Sequence, residues 1–171
     1  MMGIAMRTHA LRAAGVTVLL AVAGPARADA PPVDLATYPR AALEIVQHAP
    51  DSVRRFHFDV WVADTPARSE QGLMFVRDLP PERGMVFPFA PARVVSFWMK
   101  NTYIELDMLF IDSGGHVVKI IERAPPLRLD LLGSDQPVAA VLELRGGEVG
   151  LLGLKVGDQV SWKRVGKAAA D

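Results

Sequence analysis

Two apolar segments separated by a short turn constrain the fold of this chain more than any other feature. Leu106–Ile111 and His116–Ile121 flank Asp112–Gly115, which ends in two consecutive glycines. Glycine adopts the positive φ angles that tight hairpin turns require, so the pattern predicts an antiparallel hairpin. Residues Phe56–Val62 predict a further strand, because apolar side chains occupy every other position and a half-buried strand has a period of two.

Turn residues recur roughly every 8–12 positions, a spacing typical of an antiparallel β protein. Thr65 is suited to cap a short helix over Pro66–Gln71, since its hydroxyl can accept a backbone N–H and proline fits the first helical position. Apolar runs predict strands from Leu43 and over Val94–Met99, and Glu148–Leu154 predicts a helical turn. We therefore predict a mainly β fold, an antiparallel sandwich or partly closed barrel of about eight short strands with one short helix.

The N-terminal segment has the pattern of an export signal. Arg7 and Arg12 precede the apolar run Ala13–Gly24, and Ala26–Ala28 has the small-x-small form of a cleavage site. We predict cleavage after Ala28 and a periplasmic or secreted protein. The alternative is an uncleaved anchor helix, but the apolar run is shorter than the roughly 20 residues that span a bilayer.

The remaining sequence predicts a single domain. Residues 29–42 contain a proline pair and are expected to form a linker or arm. We expect residues 43–165 to form the domain and residues 166–171 to be a disordered tail. Once residues 1–28 are removed, we expect no membrane span.

Composition and charge exclude several kinds of chemistry. The chain has no cysteine, which excludes disulfides, thiol nucleophiles and thiolate metal sites. Loss of Arg7, Arg12 and Arg27 with the signal leaves 16 basic residues against 19 acidic ones, a net charge of −3 with histidine counted as neutral. Nucleic-acid binding requires clustered lysine and arginine, so we expect no nucleic-acid partner.

A run of aromatic and polar residues is the strongest candidate for a ligand site. Trp98 is followed by Lys100, Asn101 and Thr102, and Asp107 lies shortly after them. Large aromatics beside hydrogen-bonding groups are common in small-ligand sites. In this interpretation Trp98 is a stacking face, Lys100 supplies charge and Asn101 hydrogen bonds. Asp107 would orient the loop. The alternative is a purely structural turn, because Asn and Thr side chains bond to nearby backbone groups.

Arg68 is a fifth candidate for this site. Beside Lys100 and Asn101 it would complete a pocket for a small anionic or sugar-like ligand. The alternative is an ion pair with Asp64 or Glu70 on the helix surface. The sequence thus predicts an exported, non-catalytic binding or accessory module, with a second protein of the cell envelope as another expected partner. We expect no cofactor and no metal.

The sequence also offers residues for two other classes of function, a hydrolase and a copper-binding protein. A hydrolase acting on an envelope carbohydrate or ester would use Asp107 and Glu105. Asp112 is five residues from Asp107, about 16 Å along an extended strand, which is too far for a carboxylate pair. Glu143 alternates with leucines, which predicts a solvent-facing side chain. A copper site would use thioether ligands, although methionine also fills gaps in cores. The candidates are Met74, Met85, Met99 and Met108.

Several short motifs, in this order, resemble the bacterial and archaeal family known as domain of unknown function 192 (DUF192). The resemblance covers roughly Leu43 to Lys163 and implies a small β-sandwich-like domain, often exported, with no established activity. At three positions the chain departs from the family pattern: Val76 stands where Arg is common, and Ser96 and Glu105 stand where Pro is common. The motifs are Gly72-Leu73-Met74, Gly84-Met85-Val86-Phe87, Phe97-Trp98-Met99-Lys100-Asn101-Thr102, Leu106-Asp107, Phe110-Ile111-Asp112, Val141-Leu142-Glu143-Leu144 and Gly157-Asp158.

Overall fold

The computed structural model describes residues 34–165. The predicted signal peptide, residues 1–28, and the predicted tail, residues 166–171, lie outside the described residues. A single 3-10 turn at Leu35–Thr37 opens the described part of the chain. The elements that follow it are β1 (Arg40–Ala49), β2 (Ser52–Val62), α1 (Pro66–Gln71), β3 (Arg83–Arg93), β4 (Ser96–Phe97), β5 (Leu106–Ile111), β6 (Val117–Ala124), β7 (Leu132–Gly133), β8 (Val138–Arg145), α2 (Glu148–Leu152) and β9 (Gln159–Val165).

Seven strands form one sheet in the order β6-β5-β8-β3-β2-β1-β9, and β4 pairs with β7. The pairings are antiparallel except that β2 and β3 run parallel. A parallel pair needs a crossover connection, and α1 with its flanking loops supplies it. The prediction of a mainly β, mainly antiparallel fold is confirmed. Residues 34–165 contain nine strands and two α-helices, where the sequence predicted about eight strands and one clear helix.

The two outer strands of the sheet meet at one end. An isolated bridge joins His116 to Gln159, and the Val160 amide donates a hydrogen bond to the Gly115 carbonyl at 2.7 Å. These contacts connect the start of β6 to the start of β9. The sheet is therefore curled and partly closed, but it is not a closed barrel.

Both faces of the sheet are covered by apolar side chains. Leu109 and Ile111 of β5 belong to one buried cluster, the first core, and Met108 and Phe110 belong to another, the second core. Every residue of β5 is buried, as expected for a strand packed on both sides. The second core is completed by residues that follow α1 and by the β4–β7 pair, including Leu73, Leu79, Phe97 and Leu132.

The local predictions differ in their outcomes. Helix α1 has the predicted bounds, and the Thr65 hydroxyl accepts from the Arg68 amide at 3.3 Å. The hairpin of β5 and β6 is confirmed. Glu148–Leu152 forms the predicted helical turn. Within residues 34–165, no helix is both long and apolar enough to cross a bilayer.

Two strand predictions need correction. Strand β1 begins at Arg40 instead of Leu43, because residues 40–42 pair with both β2 and β9. The strand predicted over Val94–Met99 is reduced to the two residues of β4. The reason is that the chain leaves the pairing after Phe97 and the Met99 amide donates instead to the Arg128 carbonyl in a loop.

Candidate functional site

A cavity of about 420 Å³ lies beside the second core, between α1, β3 and β4. Four of its lining residues are aromatic and are called the aromatic wall. Phe87 and Phe89 come from β3, where the period of two places them on the same face, and Phe97 and Trp98 come from β4 and the residue after it. The rings of Phe87 and Phe97 meet edge to face with centroids 5.1 Å apart. The polar side chains in the wall are Ser69, Glu70, Gln71, Arg93, Ser96, Thr102 and Glu143.

Glu143 brings a buried carboxyl group to this cavity. Its neighbours across the sheet are Met85 on β3 and Met108 on β5, and both are fully buried. The Glu143 side chain is itself 4% exposed, and its Oε2 atom has no hydrogen-bond partner within residues 34–165. Burial raises the pKa of the Glu143 carboxyl to about 8. At pH 7 the carboxyl is therefore mostly protonated.

Gly72 leaves room for the Glu143 carboxyl and the aromatic wall. It ends α1 with φ at +51°, a conformation that side chains with a Cβ rarely adopt. A Cβ at this position would lie 3.2 Å from Cζ of Phe87 and 4.0 Å from Oε2 of Glu143. The glycine therefore leaves the space beside the Phe87 ring and the Glu143 carboxyl free of a side chain.

The predicted orientation of Glu143 is wrong. The sequence placed it on a solvent face because it alternates with Leu142 and Leu144, which do lie in the first core. The opposite face of β8 is covered as well, by the second core, so Glu143 is buried. A signal was present: Val138–Leu144 is apolar on both faces of the strand apart from this one carboxyl, a pattern typical of a strand buried on two sides.

Part of the predicted polar corner lines the cavity. Trp98, which is 44% exposed, and buried Thr102 are both lining residues. The Lys100 ammonium lies 5.4 Å from the centroid of the Trp98 ring. Asn101 has φ at +56°, and its carbonyl accepts from the Phe75 amide at 2.8 Å. The corner thus joins the segment after α1 to the aromatic wall.

The predicted role of Asp107 in orienting the Lys100–Thr102 turn is wrong, because its carboxylate bonds to other segments. Asp107 is fully buried. Its Oδ1 accepts from the backbone amides of Arg123 at 2.7 Å and Gly147 at 3.0 Å, and its Oδ2 accepts from Val149 at 2.8 Å. These donors include the free amides at the start of α2, which a carboxylate satisfies well. Asp107 therefore holds α2 and β6 together, while Lys100 and Asn101 are held by other contacts.

Arg68 is engaged on the outer side of α1. Its guanidinium pairs with Asp64 at 2.6 Å and donates to the Thr37 carbonyl at 3.0 Å. It also lies 5.4 Å from the centroid of the Tyr38 ring. This is the alternative that the sequence left open, an ion pair along the helix. Arg68 is directed toward the segment before β1, and the side chains that line the cavity come from the residues after it.

Most candidate residues for hydrolysis and copper binding are engaged in ion pairs or buried in the core. Glu105 pairs with Arg123 at 2.7 Å. Met85, Met99 and Met108 are buried in the second core, where methionine commonly fills space. Within the described residues, no three His, Asp or Glu side chains are grouped so that they could hold a metal ion.

The position where the family commonly has Arg is apolar here. Val76 packs against the second core. The following residue, Arg77, places its guanidinium carbon 4.8 Å from the centroid of the Tyr103 ring. The one-residue shift thus directs the cation to the exposed side of the loop.

Comparisons with known proteins agree with this fold. A candidate transcription regulator from Sinorhizobium meliloti 1021 shares 41% identity, with a TM-score of 0.69 over 73% of this chain and 95% of that one. A protein of unknown function from Novosphingobium aromaticivorans DSM 12444 shares 36% identity, with a TM-score of 0.65 over 71% of this chain and 85% of that one. Comparison with curated proteins gives no match. The profile of DUF192, described as an uncharacterized ACR, matches residues 46–162, and the chain therefore belongs to the DUF192 family.

Proposed function

We propose that this protein is an exported, non-catalytic module that binds a small organic molecule in the cavity beside Glu143. The observation that carries the proposal is Glu143, which lines the cavity and whose buried Oε2 atom has no hydrogen-bond partner within residues 34–165. An unsatisfied buried polar group costs about 1–3 kcal/mol. A ligand that supplies the missing partner would remove this cost.

The size and lining of the cavity support the proposal. Its volume of about 420 Å³ falls within the roughly 300–1,000 Å³ that is usual for small-molecule sites. Such sites are mostly apolar and aromatic with a few polar groups that fix the orientation of the ligand. The four aromatic side chains and the buried carboxyl of Glu143 match these two features, and further polar side chains complete the lining.

The cavity mouth supports a binding role for part of the predicted corner. Trp98 is exposed enough to contact a ligand and also belongs to the wall. Lys100 lies over the Trp98 ring, and Thr102 links the turn to the cavity lining. In this proposal the corner shapes the entrance, and Glu143 is the recognition group inside.

The hydrolase alternative is less well supported by the contacts. Both oxygens of Asp107 accept backbone amides, and Glu105 is ion-paired. A carboxylate that holds three amides is poorly placed to exchange protons with a substrate. Export is proposed from the sequence of residues 1–28 and is consistent with a binding role in the periplasm.

Native mass spectrometry of the chain purified from its own compartment tests the proposal. We expect a reproducible small-molecule adduct on the wild type that is weakened in Glu143→Gln and Trp98→Ala. The matched control is Glu122→Gln, which makes the same change at an exposed position of β6 and should keep the adduct. Circular dichroism must show that each variant is folded. A bare mass for the folded wild type would contradict the proposal, as would an adduct unaffected by both cavity substitutions.

A further inference from the structure

We infer that the molecule bound in this cavity is an organic cation, a protonated amine whose ammonium group pairs with Glu143 and whose apolar body lies along the aromatic wall. This inference rests on the proposed function and names the chemical class of its ligand. An ammonium group can donate a hydrogen bond to the Oε2 atom that lacks a partner in residues 34–165, and it neutralises the charge of the carboxylate.

The aromatic rings give a second reason for a positive ligand. The face of an aromatic ring carries partial negative charge and attracts cations within about 6 Å. At the cavity wall two cations of the chain already occupy such positions: Lys100 lies 5.4 Å from the centroid of Trp98, and Arg93 lies 4.9 Å from that of Phe89. Phe87 and Phe97 lie on the wall near the carboxyl, where a ligand cation could make the same kind of contact.

The charges around the cavity also favour a cation. The ionisable side chains in its wall are Glu70 on α1, Arg93 on β3 and Glu143 on β8. Arg93 is exposed to solvent and lies over the Phe89 ring, and charges exposed to water are strongly screened. The buried ionisable group that a ligand would meet is Glu143. Once its carboxyl has released a proton, the carboxylate attracts a cationic ligand and repels an anionic one.

Amine binding should be coupled to proton release. Without ligand, burial holds the Glu143 carboxyl in its protonated form up to a pKa of about 8. The ammonium ion binds the ionised form, so near pH 6 about one proton should leave the carboxyl for each ligand bound. Affinity should rise about tenfold for each pH unit between pH 6 and pH 7 and should level off above pH 8.

Three probes of similar shape separate the ligand classes: 2-phenylethylammonium, 2-phenylethanol and phenylacetate. Titration calorimetry on the mature wild-type chain should show binding of the ammonium probe, with weaker binding of the alcohol and the weakest binding of the carboxylate. Repeating the titration in buffers with different ionisation enthalpies measures the released proton. In Glu143→Gln the affinity for the ammonium probe should fall about 10- to 100-fold and lose its pH dependence, while Glu122→Gln should behave as the wild type.

The outcomes distinguish this inference from the proposed function. Equal or tighter binding of the alcohol or the carboxylate would overturn the cation inference, as would amine binding without proton release at pH 6. Failure of all three probes and of smaller alkylammonium ions would overturn it too. In each case the proposed function would still stand if the native adduct depended on Glu143. The proton measurement uses the wild type, so it remains decisive if Glu143→Gln does not fold.

Discussion

Replacing Glu143 by glutamine should change how the stability of this protein depends on pH. Burial raises the pKa of the Glu143 carboxyl from an ordinary value of 4.5 to about 8 in the folded protein. Between these two values the folded state keeps a proton that the unfolded state has released. The free energy of unfolding therefore decreases as pH rises through this window. Stability from this group is fully present below about pH 4.5 and is lost as pH rises toward 8.

The magnitude follows from the pKa difference. Each pKa unit corresponds to about 1.4 kcal/mol, so the complete loss is at most about 5 kcal/mol. Between pH 5 and pH 8 the wild type should lose about 3–4 kcal/mol relative to Glu143→Gln, which has no proton to release. The glutamine amide also adds a constant offset, because it must find its own hydrogen bonds in the buried position. The growth of the difference with pH is therefore the quantity to measure.

Urea unfolding followed by far-ultraviolet circular dichroism gives the free energies directly. Wild type and Glu143→Gln would be compared at pH 5, 6, 7 and 8 without ligand, so that the contributions of other titrating groups cancel. Glu122→Gln serves as the control and should track the wild type at each pH. A difference between wild type and Glu143→Gln that stays constant from pH 5 to pH 8 would refute the reasoning, because it would mean that the carboxyl is hydrated and titrates at an ordinary pKa in the folded protein.

Three further substitutions test the roles assigned to other residues. Asp107→Ala should lower the free energy of unfolding by about 3–5 kcal/mol, since three backbone amides lose their acceptor; urea unfolding would measure this, and a loss below 1 kcal/mol would contradict it. Gly72→Ala should destabilise the fold by about 1–3 kcal/mol through its positive φ and crowding of Phe87, and should weaken the native adduct, which mass spectrometry would reveal. Arg68→Ala should lower the free energy of unfolding by about 1 kcal/mol and leave the native adduct intact. Loss of the adduct in a folded Arg68→Ala variant would instead place Arg68 in the site.

The elements that could be predicted from sequence are those determined by local chemistry. The capping hydroxyl of Thr65, with proline at the first helical position, is sufficient to predict the start of α1. The glycines of Asp112–Gly115 were sufficient for the hairpin. In both cases the decisive interactions lie within a few residues along the chain, so the rest of the fold did not need to be known.

The cavity could not be predicted in the same way, because its walls come from segments that are far apart in sequence. The alternating pattern shows that the side chains of Glu143 and Leu142 point to opposite faces of β8. The pattern does not show that α1 and β4 cover the face on which Glu143 lies. The same is true of Asp107, whose carboxylate oxygens accept hydrogen bonds from backbone amides about 16 to 42 residues away. A side chain whose partners are distant carries little signal in its own neighbourhood. The aromatic residue Trp98 was found as a site candidate because its polar neighbours are adjacent to it.

The position of β1 between β2 and β9 determines when this domain can complete its fold. Arg40, at the start of the first strand, is paired with Val165, at the end of the last one. Such distant pairing slows folding, because a long loop must close before the contact is made. During synthesis, β1 can pair with β2 early, but its other edge stays unpaired until β9 has emerged. Until then, Leu43 and Ile45 of the first core lack their neighbours on β9, so the incomplete chain presents an unpaired sheet edge that chaperones can recognise and that can pair with other chains.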